Sequence, residues 1–521
     1  MKFYNHCLEK RRSIWFLTAV FLVLMPLISA ILFCLRDGKT INDIAIYLGG
    51  WSDEITYYKQ IEGMVEYGLP RGFFGYDQSR AVYGPFGVWG IFPLLPYYLI
   101  GSVAGFGYCT MMYVNIFMCM MALFVFVWLI RPNKRTMLTA GLVWILYYEL
   151  NRYVLSAVVE ALFIAAMIII FSLGCYLLSD KVRSSAERDF CWKKDCAAIV
   201  VVVVLICYIS VCRPYYSVLF LIPFLALARH RKRLGCVLIV GVAVANLVLF
   251  FVNYRFFCSK YYADILDTDT LGGENFLQEM WNRLLTGIAD IAKMMWYAIR
   301  YADGPGWYYF AFFLGIAGVT AGLILAKLRY EKLSKMYVSV LLGYSLIILS
   351  IILIYDVGVG ARHVLALNMG CMLLLCVEWS YKWNWGFAGI CLLSILLVGK
   401  PDKLPYATAE YDAYMSCLEA DLRKVITVTN ELSYDNVVAM PTRDFSVNEE
   451  GKSVSTYYGN LFALPAGVGI SLDHFEIYNE SEKVLARYVL CHPEGVIREN
   501  FEVAGKQCIY ENEQFALYAM Y

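Results

Sequence analysis

Long apolar runs dominate this chain, and they restrict it to a small set of folds. A helix needs about 20 apolar residues to cross the hydrocarbon of a bilayer, where every backbone polar group must bond within the protein. Ser13 to Leu35 is one such run, and ten more follow, roughly over 108–130, 136–151, 154–178, 196–212, 215–228, 234–254, 306–326, 336–355, 363–379 and 385–399. These eleven spans over residues 1–399 predict an all-α polytopic membrane protein. With 60% apolar residues, 17% charged and a mean hydropathy of +0.57, the 521 residues do not suit a set of soluble domains. The first run lacks a small-residue cleavage site and reads as a retained span, not a signal peptide. The seventeen Cys lie mostly inside apolar runs without paired CxxC spacing, which makes them packing residues.

Orientation follows from the basic clusters, because short basic loops stay cytoplasmic. Lys10-Arg11-Arg12, Arg131/Lys134/Arg135, Lys181–Lys194, Arg229/Arg231/Lys232/Arg233 and Lys327–Lys335 all fall on one face with this set of spans. The N-terminus is therefore expected in the cytoplasm and the C-terminus outside. Pro85 to Gly105 is apolar enough to count as a twelfth span, but that would move Arg131–Arg135 outside. Its three prolines and its Trp and Tyr suit an interface segment on the outer face.

Three larger pieces then lie outside: loops 36–107 and 255–306, and a tail over 400–521. From Pro401 onward the tail has 19 Asp/Glu against 9 Lys/Arg, a balance of −10 beside +1 for the whole chain. A helix near Ala407–Val425 and short runs at Asn436–Met440, Val484–Leu490 and Phe515–Tyr518 predict a small extracytoplasmic α/β domain. A chain with this charge offers no basic surface to nucleic acid. A cell-membrane, multi-pass location and a lipid bilayer partner follow.

The first outer loop carries the most chemistry. Ser52 or Asp53 can cap a helix that shows Ile55, Tyr58, Ile61 and Val65 on one side and stops at Gly68. Asp53 and Glu54 then occupy its first turn, where free N–H groups favour carboxylates. By itself this fits two helix-start acids. A span, an outer loop opening with Asp53-Glu54 and Tyr57-Tyr58, an interface segment, and Arg362-His363 opening a late span together resemble the GT-C superfamily of membrane glycosyltransferases. The likeness is to its protein mannosyltransferase and aminoarabinose transferase branch.

The resemblance implies that Asp53 is a general base for sugar transfer from a polyprenyl-phosphate donor, with inversion, and that Glu54 orients it or binds the acceptor. It implies an envelope glycan, lipid or protein as acceptor at the outer leaflet. A hydroxyl is a poor nucleophile at neutral pH, and a positioned carboxylate remedies this. The leaving phosphate needs cations, for which Arg362, His363, Arg80 and Arg213 are candidates. Arg80 stands where relatives carry a Lys before a Pro pair, although one Pro follows here. The bland reading of each arginine is interfacial snorkelling. Glu160, two turns into the fourth span, is a substrate or structural acid, with Arg152 eight residues away as its expected partner.

No metal site is expected. The acids of the middle loop, Asp264, Asp267, Asp269 and Glu274, leave a divalent cation open as cofactor but lack calcium-loop spacing. Gly38-Lys39-Thr40 ends like a P-loop without its first Gly, and Cys491-His492 with Cys508 is too sparse for a metal site. A lipid-linked-oligosaccharide flippase or transporter remains the alternative outside enzymes. It would place polar groups at mid-bilayer in repeated halves, which are not evident. An O-antigen ligase or polymerase-like enzyme is the alternative within the class.

Overall fold

The computed structural model describes residues 2–49, 52–68, 74–76, 90–180, 182, 192–228, 232–257, 276–301, parts of 318–325, 335–354, 357–378, 380–398, 404–429, 433–441, 458–473 and 484–521. The helices in chain order are α1 Lys2–Val23, α2 Met25–Arg36, α3 Ser52–Tyr67, α4 Leu95–Ala104, α5 Thr110–Ile130, α6 Lys134–Leu146, α7 Tyr148–Val154, α8 Glu160–Leu178 and α9 Trp192–Cys212. They continue with α10 Leu221–Ala228, α11 Lys232–Phe257, α12 Phe276–Tyr301, α13 Lys335–Ile354, α14 Val357–Glu378, α15 Lys382–Val398, α16 Ala409–Val425 and α17 Val496–Val503. The strands are β1 Phe74–Tyr76, β2 Val437–Pro441, β3 Gly469–Asp473, β4 Tyr488–Cys491, β5 Gln507–Glu511 and β6 Ala516–Ala519.

Among the described residues, α5, α8, α9 and α11 are long and apolar enough to cross a membrane, and α1 with α2 forms a fifth candidate bent by 58°. The bend has a local cause. Pro26 in the first turn of α2 cannot donate to the carbonyl four residues back, which breaks the run expected to be one straight span. Several other runs are divided too: 136–151 lies across α6 and α7, and 215–228 is a 3₁₀ turn, Pro214–Phe220, followed by α10. The α4 helix, with ten residues, is about 15 Å long at 1.5 Å per residue, too short to cross.

Helix α8 is the hub. It is apolar all round, 89% of its spanning window is buried, and α5, α9 and α14 pack around it. By contrast, α11 has only 22% of its window buried and exposes Val237, Val244, Val248 and Phe251, an apolar surface suited to lipid. The segment read as a middle outer loop contains the 26-residue α12. Its apolar residues, such as Leu277, Trp281, Leu285 and Ile288, recur at helical spacing with charged residues between them, so it never forms a continuous apolar run.

The tail forms its expected sheet, with a strand added from elsewhere. The order is β1-β3-β2-β4-β6-β5, parallel from β1 to β4 and antiparallel from β4 to β5. Strand β1 lies in the segment 36–107, which thus completes the sheet edge. Both faces of β2 and β3 are buried, as in parallel sheets covered on two sides. Val438, Met440, Ile470 and Leu472 join the core shared with the helical bundle, while Val437, Ala439 and Val489 pack with Ile497 and Phe501 of α17.

The tail is fixed to α3 by a buried charge. Lys59, 3% exposed, donates from Nζ to the Leu464 carbonyl at 2.5 Å and the Phe462 carbonyl at 3.4 Å, and pairs with Glu62. Tyr67 lies against Gly467, whose φ of +82° and lack of a Cβ let the ring approach. Near the start of the tail, the Tyr47 hydroxyl donates to Asp412, and Ala45 and Pro405 are joined through their backbones at 2.9 Å. Lys59→Met keeps the apolar stem and removes the donors. It is expected to destabilise the protein by about 2 kcal/mol and to speed proteolytic release of the tail, read by thermal melting and limited proteolysis. Parent-like behaviour in both would mean the tail is held by other contacts.

Candidate active site

The site starts where α8 starts. Residues 155–159 are not helical, so the expected fourth span begins at Glu160, not at 154. Freed backbone groups inside a bundle need partners. Asn115, a lone amide in the apolar α5, donates to the carbonyls of Val154 at 3.2 Å and Ser156 at 3.0 Å and accepts from the Tyr97 hydroxyl at 2.6 Å. Glu54 of α3 accepts from the Ala157 N–H at 3.0 Å. The break is therefore held from two sides, and Glu160 opens the next helix at the end where carboxylates are favoured.

Four charged side chains converge there from four parts of the chain. Arg213 precedes Pro214 and is extended, with φ −133° and ψ 97°, as the residue before a proline prefers. Its Nη2 reaches Glu160 Oε1 at 2.8 Å, and its guanidinium lies over the Phe163 ring, 4.0 Å from the centroid. Arg362, in the second turn of α14, places Nε 3.5 Å from the same Glu160 oxygen. Through Nη1 it donates to Asp53 Oδ2. Glu160 Oε2 is buried without a hydrogen-bond partner among the described residues.

Side-chain exposure is graded along this chain of charges. Arg213 and Glu160 are 1% and 2% exposed, Arg362 is 15% and Asp53 is 35%. The inner pair is fixed by burial, and Asp53 is the most exposed of the four. Tyr57, one turn after Asp53 on the same face, is buried within the field of all four groups. Burial first, then Glu160 and Asp53, pushes its phenol up.

Glu54 differs from its neighbour. Burial pushes its carboxyl up to about 7, against the pull of the Ala157 N–H and of Arg152, and Asp53 adds to the rise. Its Oε2 would lie 2.8 Å from a Cβ on Gly49, so the glycine leaves room for the carboxyl.

Two expectations change. The partner expected for Glu160 was Arg152, eight residues earlier, which presumes one continuous helix. The chain breaks at 155–159, so Arg213 and Arg362 hold Glu160, while Arg152 acts on Glu54. The snorkelling reading fails for Arg213, which is buried, and for Arg362, which is paired inward. His363 lies on α14 with its side chain outside the described set, and Arg80, Asp264, Asp267, Asp269 and Glu274 lie outside the described residues. No group of three or more His, Cys, Asp or Glu is arranged to hold a metal among the described residues.

No family model matches the chain, and no curated protein matches it. Among solved structures, it is similar to ArnT from Cupriavidus metallidurans bound to undecaprenyl phosphate, at 12% identity over 96% of this chain and 98% of that one, with a TM-score of 0.41. The apo form of that ArnT gives 10% identity over 91% and 96%, with a TM-score of 0.39. The apo oligosaccharyltransferase of Archaeoglobus fulgidus gives 10% identity over 92% and 69%, with a TM-score of 0.46. The likeness is too distant to carry residue roles across.

The raised Glu54 carboxyl makes a prediction with a definite sign. An unfolded glutamate titrates near 4.3, so the folded state holds this proton more tightly. The stability it contributes is present below about 4.3 and is lost as pH rises through about 7. The melting temperature of Glu54→Gln minus that of the parent should grow between pH 5 and pH 7.5. A constant difference would mean Glu54 titrates as an exposed carboxyl does.

Proposed function

We propose that the protein is an integral membrane glycosyltransferase that moves a sugar from a polyprenyl-phosphate donor to a hydroxyl of an envelope glycan, lipid or protein acceptor at the outer leaflet. The observation that carries this reading is Asp53, the most exposed carboxylate of a buried charge cluster, bound to a guanidinium that also leans on Glu160. A carboxylate beside a guanidinium is the pairing that displacement of a phosphate from an anomeric carbon would use, one as base and the other as anion-binding cation.

In the step proposed, the acceptor oxygen attacks the anomeric carbon while an Asp53 carboxylate oxygen takes its proton. The bond from that carbon to the phosphate oxygen breaks, and its electron pair leaves with polyprenyl phosphate, which gains one negative charge. A single displacement of this kind inverts the anomeric centre. Arg362 meets the developing charge with its planar fork, and Arg213, fixed behind Glu160, adds a positive field. Within the cluster, two carboxylates face two guanidiniums. A donor phosphate would compete with Asp53 for Arg362, so donor binding would free the base before the acceptor arrives. The donor's lipid tail stays in the bilayer, which accounts for a site built among spanning helices.

Detergent-purified protein supplied with radiolabelled polyprenyl-phosphate sugar and an acceptor extract should release polyprenyl phosphate and label the acceptor. Asp53→Asn should lower that transfer by about 10²–10⁴-fold while still inserting and purifying as the parent does. Transfer at the parent's rate would remove the mechanism, and counterflow of the donor without turnover would indicate a carrier instead.

A further inference from the structure

We infer that Glu54 is a positioning residue, which ties the first turn of α3 to the 155–159 break and so sets the distance between Asp53 and the Glu160–Arg213–Arg362 base. This rests on the reading of Asp53 given above and assigns its neighbour a role other than acceptor binding.

The two carboxylates of the pair point to different places. Asp53 is partly exposed and meets Arg362, whereas Glu54 is 5% exposed and faces into the protein. Its Oε1 takes the Ala157 N–H, three residues before Glu160, at 3.0 Å. Its Oε2 and the Ile46 carbonyl both crowd the face of Gly49, 2.8 Å and 3.2 Å from where a Cβ would stand. Among the described residues, a group enclosed in this way faces the protein interior and not an acceptor. What it does have is a bond to the segment that aims Glu160.

Geometry makes that bond consequential. Asp53 and Glu160 share Arg362 but come from helices about 100 residues apart in sequence, and Glu54–Ala157 joins those helices next to both acids. Asn115 fixes the other side of the break through the Val154 and Ser156 carbonyls. Without the Glu54 contact, α3 keeps its Lys59 and core contacts but loses its direct bond to the break, so the first turn that carries Asp53 can shift relative to α8. A displacement of about 1 Å at the reacting groups costs on the order of 100-fold in rate.

The requirement is for an acceptor oxygen in the right place, not for a charge, and this separates positioning from chemistry. Asp53→Asn is measured first: activity in that variant sinks the underlying reading. Once Asp53 is shown to be needed, Glu54→Gln, which keeps an oxygen facing Ala157, should retain kcat within about threefold, with the parent's pH profile for kcat. Glu54→Ala should lose about 100-fold in kcat with donor KM changed less than threefold. Gly49→Ala, which leaves every charge in place but pushes on Oε2, should also lower kcat with donor KM little changed. Folding is checked by monodisperse purification and thermal melting. A folded Glu54→Gln as inactive as Glu54→Ala would overturn the inference, since the carboxylate itself would then be needed, as would full activity in Glu54→Ala. If Glu54→Ala does not fold, Glu54→Gln and Gly49→Ala decide by the same outcomes.

Discussion

One oxygen atom organises this site. Glu160 Oε1 is approached by two guanidiniums, from Arg213 and Arg362, inside a bundle where an unpaired charge would be very costly. Because Glu160 is the first residue of its helix and nearly fully buried, it cannot move to find water. The arginines must come to it. Arg213 arrives from the bend between α9 and the following 3₁₀ turn, Arg362 from α14, and Asp53 closes the series from α3. Elements distant in sequence are thus held in one arrangement by their charges, buried most deeply at Arg213 and Glu160 and most exposed at Asp53.

The outer elements serve the same geometry. Helix α3, which carries Asp53, is held on one side by Glu54 against the break before α8 and on another by Lys59 against the Phe462 and Leu464 carbonyls of the tail. The tail in turn takes β1 from the loop that follows α3. Most of α3 is buried in the core that the bundle and the tail share. Here a buried cation, a buried carboxyl and a strand pairing restrain it, which is what a base needs if it is to meet an incoming hydroxyl at a defined distance.

Much of this could be read from residue types and spacing. The helix from Ser52 to its stop at Gly68, with Asp53 and Glu54 in the first turn, follows from periodicity and a glycine with φ +68°, although Ser52 and Asp53 lie inside the helix and do not cap it. Arg213 and Arg362 stood out as cations at the edges of apolar runs, and the runs at Asn436–Met440 and Phe515–Tyr518 became β2 and β6. The partners were harder to see. Pairing Glu160 with Arg152 assumed that an apolar run is one helix, but hydropathy does not register a five-residue break repaired by Asn115 and Glu54. The lone amide of Asn115 in an apolar run was the available signal. Lys59 gave none, because a lysine on an amphipathic helix looks solvated until its carbonyl partners arrive from 400 residues away. Strand β1 is three residues long and gains its identity only by pairing with β3.

The central claim is that Arg362 is shared between the base and the phosphate of the donor. A cryo-electron microscopy structure of the protein with polyprenyl phosphate bound tests it most directly. The phosphate oxygens should lie within hydrogen-bond distance of Arg362, with Asp53 released toward the acceptor side and Arg213 still on Glu160. A phosphate bound elsewhere, with the Arg362–Asp53 pair intact, would contradict the account.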